Sequence, residues 1–187
     1  MMQDFHLDRR RMLAMTAGLS VLTATRGWAQ STGKVLRISA PSNPSSLDPA
    51  TGGAGSDHVV LYPMFDTLVG FDPETLQALP GLAESWHYPD PKTFVLNLRQ
   101  GVRFHDGEPF NAAAVKFNLD RAIGDARSNI KTELSTVAQV EAVSDFQVTL
   151  RLKQPDSALP LILADRSGMM SSPKAIGRLG RDSDRNP

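Results

Sequence analysis

The chain has 187 residues, 41% hydrophobic and 21% charged, with a formal net charge of zero. That composition suits one or two globular cores and lacks the basic excess that nucleic-acid binding favours. It contains no cysteine, which excludes disulfides, thiolate metal sites, a cysteine nucleophile and a lipidated cysteine anchor.

Residues 1–29 read as an export signal rather than as part of the fold. Asp8-Arg9-Arg10-Arg11 is a basic start, Met12 to Leu22 is a mildly apolar run, and Gly27-Trp28-Ala29 is a small-residue end suited to cleavage. A membrane span needs about 20 apolar residues, so the run is too short to cross a bilayer. The paired arginines resemble a twin-arginine signal, with Asp8 standing where that pattern has Ser or Thr. Arg26, close to the cleavage point, is less usual for the general secretory alternative. Without residues 1–29, which hold four Arg and two Asp, the formal charge falls to −2.

Val35 to Ala40 predicts a buried first strand, followed by an extended loop over Pro41 to Pro49 and a Gly-rich turn over Thr51 to Ser56. Asp57 to Phe65 has helical spacing, disturbed by Pro63. Leu68 to Phe71 reads as a short strand and Asp72-Pro73-Glu74 as a turn. Glu84 to Tyr88 and Lys92 to Arg99 predict an antiparallel pair, with Phe94, Leu96 and Leu98 on one face. The chain then turns at Gly101, pairs again and turns at Asp106-Gly107. Asn111 is placed to cap a helix whose apolar face is Val115, Leu119, Ala122 and Ile123, with Lys116, Asp120 and Arg121 away from it. Val137 to Val143 and Gln147 to Lys153 predict a second hairpin, with Val148, Leu150 and Leu152 inward. Leu159 to Ala164 is a short helix, Met169 to Ser172 a strand, and Pro173 to about Leu179 a further helix. The sum is an α+β chain with mixed sheets and β-hairpins.

Three stretches imitate chemical motifs. Gly27 to Lys34 fails as a phosphate loop, because five residues rather than four separate its glycines and Val35 replaces the magnesium-binding Ser or Thr. Gly52-Gly-Ala-Gly55 lacks the third glycine and downstream acid of a dinucleotide fingerprint and reads as a flexible turn. His105, Asp106 and Glu108 lie on one tight turn, so their side chains diverge, whereas a metal needs three or four convergent ligands. No Gly-x-Ser-x-Gly elbow and no cofactor motif is present, so neither a catalytic set nor a cofactor is expected. Arg166, between a short helix and an apolar segment, is the candidate binding residue. An Arg there can grip a carboxylate with two hydrogen bonds, or pair internally with Asp165 or another acid.

Ordered segments carry a family resemblance. Ser46-Leu47-Asp48-Pro49-Ala50, Tyr62 to Asp72, Leu79 to Trp86, the run Leu98-Arg99-Gln-Gly-Val-Arg103-Phe-His105-Asp106-Gly107-Glu-Pro-Phe110, and Ser172-Pro173-Lys174-Ala175 follow one another at family spacing. Together they resemble the extracellular solute-binding proteins that serve peptide, nickel and glutathione ABC transporters. The resemblance implies a two-lobed, periplasmic-binding-protein-like fold that closes on its ligand by hinge motion. It implies a periplasmic, non-enzymatic protein that binds a peptide or small solute and meets an inner-membrane permease complex. It also implies a division into first-lobe strand and loop over 30–57, an extra lower domain over 58–153, and a return to the first lobe over 154–187. Asn43, Ser45 and Arg166 would then lie toward the cleft. Family members continue past the point where this chain stops, so the resemblance implies an N-terminal piece whose strand edges and apolar surface near 35–40 and 159–172 would be exposed. The alternative reading is an exported hydrolase domain, such as a glycosidase with two carboxylates.

Overall fold

The computed structural model describes residues 42–185, together with Ser39. The expected signal segment and the expected strand over 35–40 lie outside the described residues.

The framework is a four-stranded sheet and a two-stranded ribbon, with short helices around them. The ribbon pairs β1 (Val69–Phe71) with β2 (Ala78–Pro80). The larger sheet holds β3 (Ala83–Asp90), β4 (Thr93–Leu98), β5 (Val137–Ser144) and β6 (Gln147–Leu152) in the order β3-β4-β6-β5. Both sheets are antiparallel throughout, rather than mixed. The fold is α+β, as the sequence indicates. Among the described residues four α-helices punctuate it: α1 (His58–Leu61), α2 (Ala112–Gly124), α3 (Leu159–Ile162) and α4 (Pro173–Leu179).

Register follows from alternation. In β4, Phe94 lies opposite Leu150, and Leu96 opposite Val148, so the apolar faces of the two central strands coincide. Phe94, Leu96, Val148 and Leu150 have no exposed surface. Helix α2 lays Val115, Leu119 and Ala122 into the same core. At its start the Asn111 side chain accepts a hydrogen bond from the Ala114 amide at 3.0 Å, which satisfies one of the free N–H groups of the first turn.

Several expectations give way. Strand β2 lies within a stretch with no alternation to reveal it. The second pairing after Gly101 shrinks to one bridge, Arg103 with Pro109. The strand expected at 169–172 is likewise one bridge, Met169 with Thr67, because the neighbouring backbone bonds to β1 and its approach. Arg121 does not point away from the core. Its guanidinium pairs with a fully buried Asp48. Ile123 is only partly buried.

Asp48 is the knot of the loop that precedes α1. Its Oδ1 accepts from the Ala50 amide at 3.0 Å and from Arg121 Nη1 at 3.0 Å; its Oδ2 accepts from the Ser183 hydroxyl at 2.9 Å and from Arg121 Nη2. The chain end is tied in as well, since the Leu47 amide donates to the Asp184 carbonyl at 2.8 Å and Thr51 Oγ1 to the Asp184 carboxylate at 2.7 Å. A buried carboxylate needs this number of donors to offset its desolvation.

Candidate functional site

Two short segments meet beside the Gly-rich loop. One is the turn Arg166–Gly168, a single 3₁₀ turn after α3. Asp165 caps it by accepting from the Arg166 amide at 2.8 Å. The flanking backbone fastens it to β1: the Leu68 amide donates to the Gly168 carbonyl at 2.8 Å, and the Val69 amide to the Leu163 carbonyl at 3.2 Å. Gly168 is required there, because a Cβ would stand 1.8 Å from the Leu163 carbonyl oxygen.

The other segment is the loop 52–55 leading through a 3₁₀ turn (Gly55–Asp57) into α1. Asp57, fully buried, gathers the loop around its carboxylate. Oδ1 accepts from the Ser45 amide at 2.7 Å; Oδ2 accepts from the Ser45 hydroxyl at 2.7 Å and the Ala54 amide at 3.1 Å. Burial by itself would raise the acid's pKa. The donors from Ser45 and Ala54 and the positive Arg166 outweigh it, and Asp57 is held below the ordinary carboxylate range. Gly52 has no room for a side chain either, since a Cβ would meet Asp57 Oδ2 at 2.8 Å and Arg166 Nη1 at 3.4 Å.

Of the residues the sequence singled out, the structure brings Ser45 and Arg166 to this one loop. Arg166 Nη1 donates to the Gly52 carbonyl, and the Gly53 amide donates to Ser45 Oγ at 3.2 Å. The positive Arg166 contributes to lowering Asp57, while Asp165 accepts from the Arg166 backbone amide. Asn43 is exposed two residues before Ser45 and has no side-chain hydrogen bond among the described residues. Sequence reasoning missed Asp57 and His58. The only signal for them was an acid at the start of a helix that follows a Gly-rich loop.

Asp106 and Glu108 both reach the start of α4. Asp106 Oδ1 accepts from the Glu108 amide at 3.1 Å, its Oδ2 accepts from the Ser172 hydroxyl at 2.6 Å, and Glu108 pairs with Lys174 at 2.7 Å. The Ser172 hydroxyl is the main reason that the Asp106 carboxyl sits below its usual range. Among the described residues no three His, Asp or Glu side chains gather closely enough to hold a metal. No described helix is long and apolar enough to cross a membrane.

A separate cavity of about 330 Å³ opens between α4 and the 102–110 turn. Met64, Phe104, Phe110, Met170, Ile176 and Leu179 are among its apolar lining, with Arg103 and Arg178 also on its wall. Neither Asn43, Ser45 nor Arg166 lines it.

Residues 77–185 match the family model described as bacterial extracellular solute-binding proteins, family 5 Middle. The chain is 35% identical over 176 residues to the glutathione-binding protein GsiB of Pectobacterium atrosepticum, covering 93% of this chain and 34% of that protein. It is 35% identical over 166 residues to GsiB of Escherichia coli K12, covering 88% of this chain and 32% of that protein. The chain thus spans about a third of the length of these curated relatives. Among solved structures, the binding protein MoaA of A. tumefaciens R10, in complex with mannopinic acid, superposes with a TM-score of 0.73 at 27% identity, covering 79% of this chain and 31% of that one. OppA of Burkholderia pseudomallei gives a TM-score of 0.71 at 20% identity, covering 78% and 32%, a likeness of fold alone. The hydrolase alternative finds no support in these relatives. On the family match across most of the described residues, this chain belongs to the bacterial extracellular solute-binding proteins of family 5.

Proposed function

We propose that this chain serves in the substrate-binding component of an ABC importer, capturing a peptide or related small solute and presenting it to a membrane permease without altering it. The observation that carries this reading is the fixed guanidinium of Arg166. Gly52 anchors one of its nitrogens, and among the described residues it forms no direct salt bridge with a carboxylate. A solute carboxylate is the natural partner for such a group. Asn43 and Ser45 are the further polar contacts of the solute in this reading. The relatives named for glutathione favour a small peptide acid as the solute.

Residues 1–29 are, in this proposal, a cleaved export signal of twin-arginine type, which places the mature protein in the periplasm. The basic, apolar and small-residue zones in that order support it. Residues 58–153 form an extra domain beside the binding cleft.

Thermal denaturation of the chain with reduced glutathione, dipeptides and a nickel chelate tests the reading. A ligand that binds the folded form raises the midpoint by mass action and is recovered unchanged. Consumption of any candidate would overturn it, as would an unchanged midpoint with all of them.

A further inference from the structure

His58 bridges two oxygens on different segments. Its Nδ1 lies 2.9 Å from the Gly55 carbonyl, and its Nε2 lies 2.8 Å from Oδ1 of Asp165. Neither a carbonyl nor an ionised carboxylate has a proton to give. A neutral imidazole carries one N–H and serves only one of these oxygens. An imidazolium carries two and serves both.

Other donors converge on the same carboxylate oxygen. Tyr62 stacks on the ring at 5.7 Å between centroids and donates its hydroxyl to the same Asp165 oxygen at 3.1 Å. Burial and the neighbouring Asp165 push the Tyr62 hydroxyl up to about 12, so it remains a donor to that carboxylate. The Arg166 amide is a third donor to that oxygen, at 2.8 Å. The charged or titratable groups on the segments around the ring are Asp57 and Tyr62 on its own side and Asp165 and Arg166 on the facing turn.

Both ends of the loop 52–55 are therefore gripped from the one turn. Arg166 holds the Gly52 carbonyl, and His58, seated on Asp165, holds the Gly55 carbonyl. We infer that His58 is a positioning residue for this loop, fixing it against the Asp165–Arg166 turn when both ring nitrogens carry protons, so that solute affinity at this face is higher in acid than in alkaline solution. The affinity part rests on the solute-binding reading of Arg166; the coupling between ring and loop does not.

NMR of the full ¹⁵N-labelled chain from about pH 5 to about pH 9 spans the range in which histidine changes charge. Expected are two protonated ring nitrogens on His58 at the acid end, with Gly52, Gly53 and Gly55 amide signals and the Arg166 side-chain N–H moving at the ring's midpoint. In His58→Gln and His58→Phe those loop movements vanish over the same range. A ring that titrates while the loop signals stay still overturns the coupling in the native chain alone, whether or not either variant folds. Loop signals that still move in both variants overturn it too. Calorimetry with reduced glutathione at about pH 5.5 and about pH 8 reads the second part. Binding several-fold tighter at the lower pH, with the ratio lost in His58→Gln, supports it; equal affinity at both overturns it. Glutathione that binds at neither pH while the loop still tracks the ring sinks the solute reading and leaves the coupling intact.

Discussion

Asp48 and Arg121 are 73 residues apart in sequence and form a two-pronged ion pair, each guanidinium nitrogen of the fork on its own carboxylate oxygen. The Asp48 side chain has no exposed surface and that of Arg121 only 11%. The pair joins the loop before α1 to the last turns of α2, and Ser183 adds the 3₁₀ turn at 180–184 to the same carboxylate. The family-like Ser46 to Ala50 segment thus supplies an anchor.

Removing one partner of this pair leaves the other buried without compensation. Asp48→Ala should cost about 3–5 kcal/mol of stability, the range for a broken buried ion pair. Urea denaturation of Asp48→Ala, Arg121→Met and the double variant measures it. The double variant should be less damaged than the sum of the singles. Strict additivity would show that the two side chains do not act together.

Gly168→Ala tests how the Arg166 turn is seated. The added methyl falls on the Leu163 carbonyl, which itself accepts from the Val69 amide and cannot retreat without breaking β1's anchor. A loss of about 1–3 kcal/mol or more is expected from this overpacking. A variant as stable as the parent in thermal and urea melts would contradict the close approach.

Asn111→Ala removes the acceptor for the Ala114 amide at the start of α2. The expected cost is about 0.5–2 kcal/mol, with Asn111→Ser or Asn111→Asp near neutral because either side chain can cap in the same way. Stability of the three variants, measured side by side, decides whether the cap or some other property of Asn111 matters.

Asp57 gives a pH signature. Its folded-state pKa lies below the ordinary carboxylate value, so its contribution is fully present above the unfolded pKa of about 3.9 and is lost as pH falls through the lower folded value. Asp57→Asn should therefore be less stable than the parent at neutral pH, and the gap should narrow below about pH 4. A gap that stays constant down to strong acid would show that the carboxylate charge does not stabilise the loop.

If Arg166 meets a solute carboxylate, Arg166→Ala should weaken binding by about 1.5–3 kcal/mol, the range for a hydrogen bond to a charged group. Arg166→Lys should recover only part of the loss, because an ammonium cannot reproduce the fork that bonds Gly52 and a carboxylate together. Unchanged affinity in Arg166→Ala would remove this residue from the site.

Alternation located β4 and β6, whose Phe94, Leu96, Val148 and Leu150 must face the core that α2 packs on, and β3 and β5 followed as their hairpin partners. Asn111 and Pro173 marked the starts of α2 and α4 through local hydrogen bonding and fixed φ, which need no distant partner. Arg166 stood out by its place between a short helix and an apolar segment, but that it and Ser45 both bond to the loop 52–55 came only from the structure. What no local pattern could supply was partner choice between residues far apart. Arg121 lies on a helix flank that reads as solvent-facing until Asp48 arrives beneath it. Asp57 and His58 look like ordinary polar residues at a helix start until the turn at 165–168 closes over them. Sequence determined the elements, because propensity and periodicity act within a few residues. Tertiary structure alone decided which charges are buried and paired, because desolvation depends on everything that surrounds a group in space.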